Sequence, residues 1–498
     1  MIMHTQTTIA HRLQTSPVLD YITPTATQKM ECLSRELHND IFLKREDHNT
    51  VNSFKIRGAF QKITSLSPQS QSLGVVAASA GNHAQGVAKV CSELNIAATI
   101  VMPETTPKIK VDGVRKFGAN VILHGNTFDE SNQYAKHLAE TKRIEFIHPF
   151  DDMEVILGQG TVGVELVEQV QDLDYVFVQV GGGGLAAGMA LAINELSPQT
   201  KVIAVEPEGA QSLGASLTAG KVVKLDRVCG FSDGVAVQQM GEVTFNICQS
   251  LIDDYVTVSK DEVCSAIQLV HRDTRAIPEA SGAVGLAGAK KYMDQHNLQG
   301  KKIGAILSGS NISFEKLEYV AQRCNLGLMT EKLISVELPE KQGELTKLLT
   351  LLEDVNISEL QYRIDKYSKA HLLISYFSHD IDLNLSKLSQ LSKAGYRVSD
   401  IAEQSIDKSH YRFMMAMSGK RYPLEQETFY NLKFPEKRGT LLSVLNTLFE
   451  GSSITALNYR NDGSSSCSLL LGVLGNGQCL DQRSLHSLSC HVDEVTTL

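Results

Sequence analysis

The chain has 498 residues, 42% hydrophobic and 21% charged, with a formal net charge of −9 at pH 7. One hydrophobic core rarely serves so long a chain, so two or three domains are expected. The acidic balance without a long basic run argues against nucleic acid as a partner, and the lack of any apolar run of about 18 residues argues against a membrane-spanning helix.

Residues 1–10 lack the charged-then-apolar pattern of a signal peptide, which predicts a cytosolic protein. Nine cysteines are scattered along the chain (Cys32, Cys91, Cys229, Cys248, Cys264, Cys324, Cys467, Cys479 and Cys490). None forms a Cys-x-x-Cys pair or has a histidine at zinc spacing, so they read as reduced thiols.

In chain order, the first distinctive string is Ser53-Phe54-Lys55-Ile56-Arg57-Gly58-Ala59. A lone lysine beside a phenylalanine carries no information, but two further signals follow it. From about Gly74 to Ser310, short β-branched runs alternate with segments of helical period, the pattern of a mostly parallel sheet with helices on both faces. The predicted strands are 75–79, 97–103, 120–124, 146–150, 175–180, 201–206, 255–258 and 303–307. Ligands of such sheets bind beyond the carboxyl ends of the strands. Three loops begin there: Ser79-Ala80-Gly81-Asn82-His83, Gly181-Gly182-Gly183-Gly184 and Ser308-Gly309-Ser310-Asn311. They are expected to face one rim.

The four glycines, followed by Leu185-Ala186-Ala187-Gly188, place backbone N–H groups at a helix N-terminus, where an anion such as phosphate is favoured. A flexible turn and a dinucleotide loop are the rival readings, and Glu206 is the acidic residue the second would need. Neither rival accounts for Lys55 or Asn82. Lys55 suits an aldehyde cofactor if burial keeps its amine neutral part of the time.

Beyond Leu326 the pattern changes to two copies of a small unit. Val336-Glu337-Leu338-Pro339-Glu340-Lys341-Gln342-Gly343 recurs as Leu432-Lys433-Phe434-Pro435-Glu436-Lys437-Arg438-Gly439, at an offset of 96. Ile357-Ser358-Glu359-Leu360-Gln361-Tyr362-Arg363 recurs as Ile454-Thr455-Ala456-Leu457-Asn458-Tyr459-Arg460, at an offset of 97. Each copy reads strand, glycine turn, helix, strand, strand, helix, in the split βαβ plan. The second copy leaves little chain for a last strand.

Together these motifs resemble the fold-type II pyridoxal-phosphate enzymes and, within them, the biosynthetic threonine dehydratases (threonine ammonia-lyases), over essentially the whole chain. The resemblance implies an α/β, tryptophan synthase β-like catalytic domain at 1–325, with a smaller subdomain of roughly 50–150 inserted in the larger. Two ACT-like βαββαβ regulatory repeats follow at 326–405 and 428–498, joined by a linker at 406–427.

The resemblance also implies pyridoxal 5'-phosphate as cofactor. Lys55 is its carrier and then the general base. Phe54, Asn82, Gly181, Gly182, Gly183, Gly184, Leu185 and Ser308 complete the cofactor site, with Asn82 on the phenolic oxygen and Ser308 facing the pyridine nitrogen. A neutral serine there favours elimination over transamination. Ser79, Ala80, Gly81 and His83 form the substrate loop, although His83 alone reads as a structural histidine.

The implied reaction is dehydration and deamination of L-threonine, and more weakly L-serine, to 2-oxobutanoate or pyruvate and ammonia, the first step of isoleucine biosynthesis. Racemases of this fold carry a serine where this chain has Ala80. Their divalent-cation site is incomplete here, because Glu206-Pro207 is followed by Ala210 and Ser212, and no metal is assigned. Pro278-Glu279-Ala280-Ser281-Gly282-Ala283 departs from the usual order, in which the proline follows the glutamate.

The tail implies inhibition by isoleucine, opposed by valine, with Gly343 and Gly439 offering N–H groups and Tyr362 and Tyr459 an apolar wall. A homotetramer is implied as well. The alternatives are another enzyme of this fold, such as cysteine synthase or threonine synthase, and a non-catalytic amino-acid sensor.

Overall fold

Runs such as Tyr175-Val176-Phe177-Val178-Gln179 are buried along nearly their whole length, which is what a parallel strand covered by helices on both faces requires. The computed structural model describes residues 8–327 and, beyond them, 331–339, 341, 343–364, 369–377, 381–400, 427–435, 439–449, 454–461, 466–474, 485, 487–488 and 490–495. Contacts divide the chain into two units, Met1–Gly327 and Leu328–Leu498. The expected 406–427 linker lies, apart from Glu427, outside the described residues.

The described strands of the first unit are β1 (Thr27–Lys29), β2 (Asp40–Arg45), β3 (Val75–Ala78), β4 (Ala98–Met102), β5 (Asn120–Leu123), β6 (Glu145–Phe146), β7 (Tyr175–Gln179), β8 (Lys201–Pro207), β9 (Asp254–Val258) and β10 (Lys302–Leu307). They form two sheets. One has the order β1-β2-β10-β7-β8-β9 and is parallel except for β1; the other, β5-β4-β3-β6, is parallel throughout. The loop after β3 therefore belongs to a different sheet from the loops after β7 and β10.

Two strands, β1 and β2, lie upstream of the region in which strands were expected. The expected strand at 146–150 is only Glu145–Phe146. Its pairing with β3 ends at Phe146, and Pro149 has no N–H for a ladder. His148 Nδ1 instead accepts from the N–H groups of Phe150 and Asp151, at 3.3 and 2.7 Å, and turns the chain.

The helix Lys55–Ser65 is fixed by charge as well as by apolar packing. The Arg57 guanidinium, with no exposed surface, donates to Glu46 at 2.7 and 2.9 Å and to Glu165 at 2.6 and 3.0 Å. Lys44 Nζ, equally buried, donates to Glu165 at 2.7 Å and to the Thr25 carbonyl at 2.8 Å. Burial opposes the charged form of Glu46, but the Arg57 guanidinium outweighs it, and the carboxyl lies below its ordinary value.

Glycines bring the neighbouring helices close. A Cβ on Gly58 would meet the Gln159 side chain at 2.2 Å, and one on Gly158 would meet the Arg57 carbonyl at 2.6 Å.

In the second unit β11 (Glu331–Pro339), β12 (Asn356–Ile364), β13 (Lys369–Phe377) and β14 (Arg397–Asp400) belong to the first repeat. The second repeat supplies β15 (Glu427–Pro435), β16 (Ile454–Asn461), β17 (Ser466–Leu474) and β18 (His491–Val495). All eight join one sheet of order β14-β11-β13-β12-β16-β17-β15-β18, whose pairings are all antiparallel. The second copy's last strand is present after all, as β18 beside β15. Among the described residues no helix is long and apolar enough to cross a membrane.

Removing one partner of a buried ion network leaves the others uncompensated. Arg57→Leu is accordingly expected to lower the unfolding free energy by about 3–5 kcal/mol in urea titrations. A loss below about 1 kcal/mol, the range of exposed pairs, would show that the network carries little.

Candidate functional site

Lys55 begins its helix immediately after Phe54, whose N–H donates to the Ser308 carbonyl at 3.1 Å. The lysine is partly buried, and its Nζ donates to the Pro149 carbonyl at 3.0 Å and lies 5.2 Å from the centre of the Phe54 ring. Burial lowers its pKa from 10.5 to about 8, against the opposing pull of Glu279. A substantial fraction of the amine is therefore neutral near physiological pH, unlike an ordinary lysine. Gly86 allows the helix Asn82–Glu93 to lie against the start of the Lys55 helix, since a Cβ there would stand 3.1 Å from the Lys55 carbonyl.

The residues after Phe146 form a strap across the site. The Ile147 N–H bonds to Val76 of β3, and the Ile147 carbonyl lies 2.9 Å from His83 Nε2. Pro149 holds Lys55. The Phe150 ring fills the space where a Gly182 Cβ would be, 2.2 Å from that position. Asp151 accepts from the N–H groups of Glu242, Val243 and Thr244 at 3.1, 2.9 and 3.2 Å, capping the helix Glu242–Leu251 from a distant part of the chain.

All four glycines of the 181–184 run are buried. Gly183 has φ of +92° and precedes the helix Gly184–Leu196. The first N–H groups of such a helix have no acceptor within it. Leu185 and Phe54 are buried in the same apolar cluster.

Asn82 opens its helix beyond the β3 loop. Its Nδ2 donates to Glu279 Oε1 at 2.7 Å, and its Oδ1 accepts from Asn311 Nδ2 at 2.7 Å. Loops from the two sheets thus meet through this amide. Glu279 is buried, and burial, then Asp233, raises its carboxyl to about 7. Ser308 is buried beside it in the β10 loop, and Ser53 and Gly309 form a β-bridge.

Ser79, Ala80 and Gly81 are half-buried, and the Gly81 N–H donates to Ser79 Oγ at 3.1 Å. His83 turns away from that loop to Ile147. A carbonyl only accepts, so Nε2 carries the proton, and the buried Nδ1 has no partner. Burial, then the Lys55 charge, lowers its pKa to about 3.

Glu206 lies buried at the end of β8, where its oxygens accept from the N–H groups of Leu213 and Gly214 at 2.8 and 2.9 Å. Burial raises it to about 7. That geometry caps the helix Ser212–Ala219 and leaves no carboxylate facing a ribose. Among the described residues no group of three or more His, Cys, Asp or Glu is arranged to hold a metal ion.

In the second unit Gly343 and Gly439 both have positive φ, +85° and +78°, directly before the helices Glu344–Leu351 and Thr440–Leu448. A cleft between the repeats is lined by Leu352, Val355 and Ile357 from the first and by Gly439, Leu442 and Tyr459 from the second. Gly343 and Tyr362 do not line it; Tyr362 is buried on β12 opposite Leu457.

A model of pyridoxal-phosphate dependent enzymes matches residues 18–309, and one of the C-terminal regulatory domain of threonine dehydratase matches residues 322–411. The chain is 44% identical to the biosynthetic L-threonine dehydratase of Haemophilus influenzae over 474 residues, 95% of this chain and 92% of that one. It belongs to the biosynthetic threonine dehydratase family.

Threonine deaminase isoform 2 of Solanum lycopersicum, in its processed form, is similar with a TM-score of 0.61 and 47% identity, covering 62% of this chain and 90% of that chain. Maize serine racemase is similar with a TM-score of 0.59 and 31% identity, covering 63% and 96%. Pyridoxal phosphate is therefore the cofactor of this dehydratase-family chain. The residues present fit it: a lysine amine kept partly neutral suits an aldehyde, and the glycine-lined helix N-terminus suits a phosphate.

Sequence reasoning did not single out Pro149, Phe150, Asp151 or Thr244, and named Glu279 only as a motif residue. Their roles arise from contacts between distant segments, and nothing in their local spacing marks them. His83 is expected to stay neutral, as the Nε2–H tautomer, from about pH 8 down to about pH 5, read by imidazole nitrogen shifts. A titration midpoint above about 5 would contradict its buried, half-satisfied geometry.

Proposed function

We propose that this chain converts L-threonine to 2-oxobutanoate and ammonia, with L-serine a poorer substrate giving pyruvate, as the first step of isoleucine biosynthesis. The observation that carries the reading is the Lys55 amine, lowered to about 8, at the junction of the Asn82 loop, the Ser308 loop and the strap to the glycine run.

Pyridoxal phosphate, when bound, supplies an electron sink for charge developing at the substrate α-carbon. Lys55 carries the cofactor and then takes the α-proton, for which its lowered pKa suits it near neutral pH. The N–H groups of Gly181, Gly182, Gly183, Gly184 and Leu185 hold the phosphate. Asn82, fixed between Glu279 and Asn311, keeps one N–H for the ring oxygen, and Phe54 packs beneath the lysine. Ser308 offers a neutral hydroxyl to the ring nitrogen, which favours loss of the β-hydroxyl over transamination.

Ser79, Ala80 and Gly81 hold the substrate carboxylate, and His83 braces that loop from behind through Ile147. Ala80 has no group able to move a proton, so the opposite face of the α-carbon lacks a base and racemisation is disfavoured. No metal takes part in this scheme.

Residues 1–325 serve as the catalytic domain, with roughly 50–150 as its inserted subdomain; the separate sheet of β3 to β6 and the division at Gly327 support these limits. Residues 326–405 and 428–498 are the regulatory repeats, joined by 406–427. Isoleucine inhibits through them and valine opposes it. Gly343 and Gly439 receive the effector carboxylate, and Tyr362 and Tyr459 form apolar walls. The protein acts in the cytoplasm as a homotetramer.

Purified, cofactor-loaded protein given L-threonine should release 2-oxobutanoate, less so with isoleucine present, and Lys55→Ala should abolish release. Absence of keto acid from the native protein would reject the reading. Keto acid indifferent to isoleucine would remove the assigned regulation alone.

Tyr362→Ala and Tyr459→Ala are each expected to raise the isoleucine concentration for half-inhibition by about fivefold. Half-inhibition unchanged from the native enzyme in both variants would discard the aromatic-wall reading.

A further inference from the structure

Thr244 lies far in sequence from the glycine run and is completely buried. Its Oγ1 donates to the Gly182 carbonyl at 2.7 Å and lies 3.1 Å from the Gly241 carbonyl. The Gly241 N–H approaches the same Gly182 oxygen at 3.4 Å. In a trans peptide unit the carbonyl and the following N–H point in opposite directions. A Gly182 carbonyl held toward Thr244 therefore turns the Gly183 N–H away from the helix Glu242–Leu251. Ser212 Oγ meets the Gly181 carbonyl in the same manner, more loosely, at 3.5 Å.

Gly183 has φ of +92°, and neither Gly182 nor Gly183 has a side chain to restrict rotation. A glycine run without outside restraint samples many orientations of its peptide units. The Thr244 bond removes that freedom at the middle of the run. Thr244 is itself held, since its N–H and those of Glu242 and Val243 are capped by Asp151. A Cβ on Gly241 would overlap the Asp151 carboxylate at 2.1 Å, so the close approach depends on that glycine.

We propose that Thr244 is a positioning residue for the cofactor phosphate: its hydroxyl, held by the Asp151 cap, fixes the Gly182–Gly183 peptide so that the loop presents its N–H groups to the anion. This rests on the reading of the 181–184 run as the phosphate cradle. Thr244 itself touches neither phosphate nor substrate.

The test compares two ligands that differ only in the phosphate. Full-length protein freed of cofactor is titrated with pyridoxal phosphate and with pyridoxal, following the visible absorption band. Native protein should prefer the phosphate ester. Thr244→Val, which keeps the shape and loses the hydroxyl, should cut that preference by about tenfold, the loss expected for one orienting hydrogen bond, with pyridoxal affinity unchanged. Thr244→Ser should remain within about twofold of native. Asp151→Asn, which weakens the cap, should shift the preference in the same direction by a smaller factor and provides the test if Thr244→Val does not fold.

Equal weakening of both ligands alongside a lower melting temperature would overturn the proposal in favour of a purely structural role. An intact preference in Thr244→Val, with Gly184→Ala abolishing it, would reject Thr244 and keep the cradle. No change of preference in either variant would reject the cradle and the proposal together.

Discussion

A guanidinium without exposed surface must have its charge met inside the protein, because desolvation otherwise opposes folding. For Arg57 that requirement gathers four segments: Thr25 before β1, Glu46 just after β2, Glu165 on the helix Met153–Gln169, and the Lys55 helix itself. Lys44 completes the balance by sharing Glu165. Arg57 stands two residues beyond Lys55, so the first turn of that helix is fixed in position and rotation. The fork of five N–H donors on arginine makes this possible where a lysine would satisfy fewer directions.

The strap from Ile147 to Asp151 extends the same constraint outward. Each residue with a role makes a different long-range contact: to β3, to Lys55, to the glycine run and to the helix Glu242–Leu251. The two sheets of the first unit are therefore coupled through one short segment that also holds the Lys55 amine. Glu279 and Asn311 couple them again through Asn82. A shift of one sheet relative to the other would strain the Lys55–Pro149 and Asn82 contacts together.

Much of this plan was legible in the sequence because chemistry and local pattern coincide there. Asn82 and the four glycines stand where strands meet helices, Lys55 stands out through its Ser53–Ala59 string, and the β-branched runs of β7, β8 and β10 follow from burial on both faces. The reasons behind individual glycines were not legible. Gly182 is required by Phe150, Gly181 by the Val235 backbone and Gly183 by its positive φ, so packing accounts for these three glycines apart from the proposed approach of a phosphate. The strand β2 was obscured because Lys44 and Arg45 look like solvent-facing residues, although both are buried and paired. Alternation alone reads as one sheet, since strand order depends on pairing, and the separate sheet of β3 to β6 was foreshadowed only by the inserted subdomain of roughly 50–150 that the resemblance implied.

The antiparallel pairing of β12 with β16 has a consequence for how a duplicated tail persists. Each copy alone would present that strand as a bare edge of unpaired N–H and C=O groups, an invitation to pair with any other extended chain. Two copies on one chain satisfy each other's edge at the high effective concentration that a covalent connection provides. Duplication here turns two inner edges into one ladder, leaving β14 and β18 as the outer edges of the sheet.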